Sequence, residues 1–321
     1  MRTSVPGIVA ECAIALAAAA LAIVGAAAGM AGAAPVPALP AAPAAPGGAA
    51  INGLVRSATT GAPVPDTPVQ LVFIGAQGAE AIGQTRSGAG GRFTFTGLLD
   101  GRYLVTARHQ GVSYAAHAVV AGAPVAVTVQ VYEVSTRVPL RIAALGIAVD
   151  ALPGYVRVNE VIHLQNPTTR TFMGEIRLPL PRGARYVVFT DGFHQPRADG
   201  AVITDRLIVR PGSHQVAYAY SVGGGGEVSL DRELALPVDR VEMFVAAPAE
   251  ARSPRLQALP IVTSEGRVYT RASGRAAPAG ELKLSVAGVP SSRLWLPPVA
   301  AGTLAALLVV GLMVAIARTA P

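Results

Sequence analysis

The side chains able to carry acid–base or metal chemistry are few: five histidines, 19 acids and one cysteine in 321 residues. Asp191 and His194 sit in a loop rich in Gly and Pro, and His214 follows Pro211-Gly212-Ser213. Brought together, those three would form a metal site or an acid–base pair; left apart, they are solvated loop residues. Glu160 and His163 are three apart on an expected strand, so they face opposite sides and cannot chelate one ion. No HExxH, HxxE or His-x-His spacing occurs, which leaves zinc ligation of the peptidase kind without a basis. No Gly-x-Ser-x-Gly elbow is present, and Ser213-His214 are chain neighbours rather than a nucleophile and base joined by folding. Gly88–Gly91 and Gly223–Gly226 have the composition of phosphate loops, but neither opens a helix. Lys283 is the only lysine, so an intramolecular Lys–Asn crosslink would need it, with Asn159 or Asn166 as partner. No catalytic, cofactor-binding or metal residue is assigned, and the sequence calls for no enzyme activity and no cofactor.

The elements that would position these residues lie between two apolar ends. Hydrophobic residues make up 51% of the chain and charged ones 14%, against about 25% charged in an ordinary soluble domain. Arg2 and Glu11 are the only charges before residue 51, and Arg318 is the only one after residue 295. Arg2, the alanine-rich run Cys12–Met30 and the small-x-small triplet Ala31-Gly32-Ala33 have the layout of a secretory signal peptide, residues 1–33. An uncleaved signal anchor is the alternative. Cleavage removes Cys12 and leaves a mature chain without cysteine, which excludes disulfides, thiol catalysis and cysteine-ligated metals. Residues 34–50 carry Pro at 35, 37, 40, 43 and 46 and read as an extended linker. Val299–Ala317 has no charge and one polar side chain, Thr303. As a helix it would span roughly 28 Å, enough for a bilayer core. Trp295 precedes it at an interfacial position, and 318–321 form a short cytoplasmic tail. The expected location is the cytoplasmic membrane, with one span and the bulk of the chain in the periplasm or at the cell surface. That compartment excludes nucleic acid as a partner.

From Ile51 onward the pattern is period-two. Val69–Phe73, Arg92–Phe95, Tyr103–Ala107 and Val125–Val131 have strand length and are separated by Gly, Pro and Asp turns. No convincing helical period occurs between residues 51 and 295. Gly53-Leu54-Val55, Thr60-Gly61-Ala62-Pro63-Val64, Gly91-Arg92-Phe93-Thr94-Phe95 and Gly101-Arg102-Tyr103 follow in order. This order resembles the carboxypeptidase regulatory-like, transthyretin-like module over residues 51–134. The resemblance implies a prealbumin-type β-sandwich, with glycines at positive-φ turns and aromatics in the core. Ser87-Gly88-Ala89 departs from it where an acidic turn dipeptide is usual. Fold does not confer chemistry.

A second β-sandwich is expected over residues 138–289. Its strand candidates include Tyr155–Leu164, Thr171–Leu178, Gln215–Tyr220, Val228–Leu236, Val241–Ala246 and Leu282–Val286, with Gly223–Gly226 as a hairpin tip. The arrangement resembles uncharacterised bacterial envelope proteins that join a transthyretin-like module, a β-sandwich and a C-terminal anchor. The expectation is therefore an all-β chain of two antiparallel sandwiches with an N-terminal signal helix and one C-terminal transmembrane helix. Its expected role is noncatalytic: an interaction or assembly module with an envelope protein partner. Carbohydrate binding is the alternative, a metal-dependent hydrolase the third reading. Glycan stacking would need exposed aromatics, for which Tyr114, Tyr132, Tyr186 and Phe193 are the candidates, since Phe93, Phe95 and Tyr103 read as core.

Overall fold

The computed structural model describes residues 48–264, 266–275 and 280–291. Residues 1–33, the linker up to residue 47, Trp295, the run 299–317 and the tail 318–321 lie outside the described residues. Within them the protein is all-β, and no described helix is long and apolar enough to cross a membrane.

The N-terminal part consists of β1 (Ala49–Ser57), β2 (Pro68–Gly75), β3 (Gly78–Arg86), β4 (Arg92–Leu98), β5 (Gly101–His109), β6 (Val112–Val120) and β7 (Val125–Val131). They form two facing sheets, ordered β4-β1-β7 and β3-β2-β5-β6. Ile51, Val55, Leu71, Phe93, Tyr103, Val105 and Val129 fill the space between them. Alternation explains the pairing: Tyr103, Val105 and Ala107 point inward along β5 while their neighbours face outward. β3 and β6 had no clear sequence signal, because β3 is exposed along most of its length. The first strand starts at Ala49, two residues inside the expected linker, with Ala49 and Ala50 already buried.

The sandwich is not wholly antiparallel as expected. β7 lies parallel to β1, from Ile51 opposite Val125 to Ser57 opposite Val131. A parallel neighbour needs a long crossover, and β2 to β6 supply it. The motif glycines also divide by cause. Gly61 and Gly91 have φ of 76° and 73°, the left-handed region that glycine tolerates. Gly53 instead makes room: a Cβ there would lie 1.8 Å from Cζ of Phe93. Ser87, the departure from the motif, is buried; its hydroxyl donates to the Val64 carbonyl and accepts from the Thr67 amide.

The chain continues through β8 (Val134–Ser135), β9 (Arg141–Leu152), β10 (Tyr155–Asn166), β11 (Thr171–Pro179), β12 (Ala184–Asp191), β13 (Arg197–Asp199), β14 (Val202–Val209) and β15 (Gly212–Gly223). It ends with β16 (Gly226–Ser229), β17 (Arg232–Glu233), β18 (Val241–Ala246), β19 (Glu250–Arg252), β20 (Gln257–Ser264), β21 (Arg267–Gly274), β22 (Glu281–Leu282) and β23 (Ser285–Val289). A seven-stranded sheet, β12-β15-β10-β9-β18-β21-β20, faces the smaller sheets β13-β14-β11-β8 and β16-β23-β19 across one large core.

β9 pairs parallel with β18 and β8 parallel with β11, a second departure from all-antiparallel pairing. β9 itself, RIAALGIAVDAL, lacks alternation because its centre is buried on both faces. Gly223–Gly226 is not a hairpin tip. β16 leaves β15 and pairs with β23 in another sheet, with Gly226 at φ 78° making the turn.

The two β-rich parts share a junction. β8 follows β7 directly and adds to the second part's β11. Met173 and Ile208 pack against the first core. The Tyr114 hydroxyl lies 2.9 Å from that of Thr171 and donates to the Tyr132 carbonyl at 3.1 Å. Arg210 stands 5.7 Å above the Tyr114 ring and donates to the Ser113 carbonyl, a favourable cation–π placement.

Candidate functional site

The most concentrated polar chemistry in the described residues is inside the second core. On β10, Glu160 faces Ile147 on one side and Tyr218 on the other. Its carboxylate accepts from both tyrosine hydroxyls, Tyr218 at 2.6 Å and Tyr220 at 2.6 Å. Arg232, arriving on the short strand β17, grips the same carboxylate with both terminal nitrogens, one at 2.9 Å to Oε2 and one to Oε1. All four side chains are buried. Burial, reinforced by the Glu160 charge, pushes both tyrosine hydroxyls well above the ordinary tyrosine range. Burial works against the Arg232 charge, but the adjoining carboxylate outweighs it and the guanidinium is held protonated. The arrangement satisfies its donors and acceptors and offers no free nucleophile or base. It is a structural clasp between the large sheet and the small strands over it.

The residues singled out from the sequence are not brought to one point. His214 meets the Gly192 carbonyl through Nε2 at 2.9 Å. Asp191 accepts from the Gln215 side chain at 3.4 Å. The backbone amides of His194 and Gln195 are held instead by Asp205, at 2.9 and 2.7 Å. Asp205 is thus the organiser of that loop; as a lone acid in the strand VITDRLIV it gave no sequence signal. Among the described residues no three His, Cys, Asp or Glu side chains group as a metal site. Lys283 pairs with Glu281 at 3.3 Å. Asn166 donates to the Arg170 and Val209 carbonyls, and Asn159 lies buried on β10.

The aromatic candidates for glycan stacking are mostly consumed in packing. Tyr114 is buried in the junction beside Tyr132, ring centroids 5.7 Å apart. Phe193 sits between Phe189 and Tyr218 at 5.1 and 6.1 Å. Tyr186 is exposed, at a φ of 56°. Two clefts of about 700 and 980 Å³ meet at Ser229 and Asp231. Their walls mix Arg182, Arg252 and Lys283 with Glu227, Glu233 and Glu281, and carry no aromatic ring.

Glu160 and His163 do face opposite ways, as their spacing requires. His163 is on the face turned from the core, opposite Ala144 and Gln215. Burial, with a smaller contribution from Arg240, holds its pKa below the ordinary 6.5. The folded state therefore binds the proton less well than the unfolded chain, so acidification below pH 6.5 favours unfolding through this residue. Equilibrium unfolding at stepped pH is expected to show a shallower stability loss below pH 6.5 in His163→Gln than in the parent chain.

The exposed large apolar residues of the second part lie toward the two edges of the seven-stranded sheet. Tyr186 and Val188, 50% and 60% exposed, are on the edge strand β12. Ile261 is on the opposite edge strand β20, with Val268 on its neighbour β21.

No curated protein matches the chain. Solved structures give partial likenesses. An M1 zinc metallopeptidase from Deinococcus radiodurans is 12% identical with a TM-score of 0.33, covering 47% of this chain and 43% of its own. The chain thus spans less than half the length of that peptidase. A DUF3823 family protein from Bacteroides uniformis is 9% identical with a TM-score of 0.23, covering 70% and 96% of the two chains. BcpA, the major pilin subunit of Bacillus cereus, is 13% identical with a TM-score of 0.23, covering 75% and 85%. Likenesses this low carry no argument about activity or assembly. The N-terminal sandwich is another matter: its motif order, its two facing sheets and a family-model match over residues 50–134 agree that this segment is a carboxypeptidase regulatory-like domain.

Proposed function

We propose that this protein is a noncatalytic interaction module displayed outside the cytoplasm on a single C-terminal membrane anchor, residues 299–317, where it recruits an envelope protein. The observation that carries the reading is the division of labour among side chains. The acids and histidines with catalytic potential serve internal contacts: Glu160 in the clasp, Asp205 under the loop, His214 on Gly192. Most of the exposed large apolar groups, Ile82, Val119, Tyr186, Val188 and Ile261, instead lie on edge strands, where a partner strand can add by β-augmentation. Export and anchoring rest on the sequence of the two ends, the signal-like layout of 1–33 and the uncharged run 299–317.

β12 is the favoured edge. Tyr186 at positive φ and two register shifts against β15 leave its outer side irregular. Bulges of this kind restrict indiscriminate edge pairing, which leaves room for a partner shaped to the irregularity. The test is crosslinking in native membranes followed by identification of what is recovered with the full chain. A stoichiometric protein recovered with the parent chain and lost with Val188→Lys is expected. Recovery of bulk lipid or polysaccharide alone, or a partner indifferent to Val188→Lys, overturns the reading. Carbonate extraction of the same membranes tests the anchor separately.

A further inference from the structure

At its central strands β9, β10 and β15 the seven-stranded sheet is buried on both faces, yet described strands cover only one. Toward the core point Val158, Glu160, Ile162, Tyr218 and Met243. On the other face Val161, Asn159 and Ala217 are 0%, 1% and 2% exposed. The buried cluster there holds Ala144, Ala148, Val161 and Ala217 and no residue from another sheet. A valine on an open sheet face would keep contact with water, so this burial implies a cover.

The face has a defined shape. Register places Gly146 and Ala217 beside Val161, and Ala148 and Ala219 beside Asn159. Small residues therefore flank β10 on both sides and form a trough that a helix can approach closely, as small residues allow in helix packing. Its charged borders are compensated: Asp150 pairs with Arg157 at 2.8 Å, and Glu242 with Arg271 at 3.3 Å. Two residues of the floor, Asn159 and His163, bury polar atoms that meet no partner. Both Oδ1 and Nδ2 of Asn159 are buried with no hydrogen-bond partner. Such a group is costly to bury unless something facing it supplies a partner.

The chain itself points to the occupant. The Gly154 amide donates to the Pro290 carbonyl at 2.8 Å, so the described chain leaves at the β9–β10 turn, at one end of the trough. Residues 292–298 extended reach at most about 24 Å. The next 19 residues, 299–317, carry no charge and a single side-chain hydroxyl, Thr303. A helix of that length is roughly 28 Å long, close to the distance of about 27 Å from Tyr155 to His163 along β10.

We infer that, out of a bilayer, residues 299–317 dock as a helix in this trough, against Val161 and Asn159. The run then has two resting places, the hydrocarbon of a membrane and the second face of its own sheet. This goes beyond the recruiting role assigned to the β12 edge and does not depend on it.

The experiment places a cysteine in the trough, Ala148→Cys, in a full chain carrying Cys12→Ala, and measures its reaction with a maleimide. In detergent-free buffer the full chain is expected to react at least tenfold more slowly than a chain ending at Ser291. A core cysteine, Val158→Cys, is to stay slow in both, which shows that the shortened chain is folded. On reconstitution into phosphatidylcholine–phosphatidylglycerol vesicles, with flotation reporting insertion separately, the full chain is expected to rise to the rate of the shortened one. Equal rates in buffer overturn the inference. So does protection that survives truncation and grows with protein concentration, which assigns the face to a second copy. A vesicle-bound chain still protected removes the exchange between the two resting places.

Discussion

Replacing Arg232 with leucine is expected to cost about 3–5 kcal/mol, because it strands the Glu160 carboxylate in a closed core. A domain of this size has only about 5–15 kcal/mol in hand, so the variant approaches global unfolding. The geometry explains the magnitude. Glu160 accepts four hydrogen bonds, two from tyrosines and two from Arg232. The tyrosine hydroxyls cannot neutralise it, since burial and the carboxylate itself raise their pKa values further. Adding Glu160→Gln to Arg232→Leu removes the stranded charge and is expected to recover part of the loss, with one tyrosine hydroxyl donating to the amide oxygen and the other accepting from the amide NH2. Urea unfolding of the parent, the single variant and the double variant, read as midpoint at constant slope, checks this. A single variant as stable as the parent would mean that Glu160 is not held as a carboxylate by Arg232.

Gly53→Ala is the second large effect, expected at about 1–3 kcal/mol as overpacking of a filled core. Gly53 lies opposite Phe93 in the β1–β4 register, and the ring occupies the space a side chain would take, with Cζ at 1.8 Å from the built Cβ. Phe93 in turn packs edge-on to Phe95 at 5.9 Å. The methyl must expel the ring or part the strands. Combining Gly53→Ala with Phe93→Leu, which shortens the ring to a branched chain, is expected to restore part of the loss. Thermal melting of the two single variants and the double variant reads the coupling. Strictly additive losses would show that the ring and the glycine do not compete for one space.

These two sites differ in how far the sequence disclosed them. The Gly53–Phe93 seat belongs to a motif whose order was readable, although the reason for the glycine was not. Positive φ was the general expectation for the motif glycines; at Gly53 the cause is a neighbouring ring 40 positions along the chain. The Glu160 clasp was invisible. Glu160 sits in a mixed strand among Arg157, Asn159 and His163, where nothing sets it apart, while Arg232 is 72 residues away on a two-residue strand with no pattern of its own. β7 and most of β10 and β11 were legible because they alternate or run apolar within clear turns. β9 was not, since a strand buried on both faces loses the period that would identify it. The parallel pairings β1–β7 and β9–β18 follow from crossovers, which leave no local trace. The loop histidines drew attention as reactive types; whether they converge depends on backbone paths that Asp205 and Gly192 set.

The parallel β1–β7 pair also determines how the first domain bears load. The chain enters along β1 and leaves along β7, with seven aligned residue pairs between them. A pull between the two ends of the domain draws these neighbours past each other lengthwise, so the hydrogen bonds of the pair resist together rather than parting one at a time. Because β8 is itself laid into the second part's sheet, the strain passes onward without a slack joint. A module held at one end and tugged at the other is thereby built as a strut: stiff in tension, and slow to come apart.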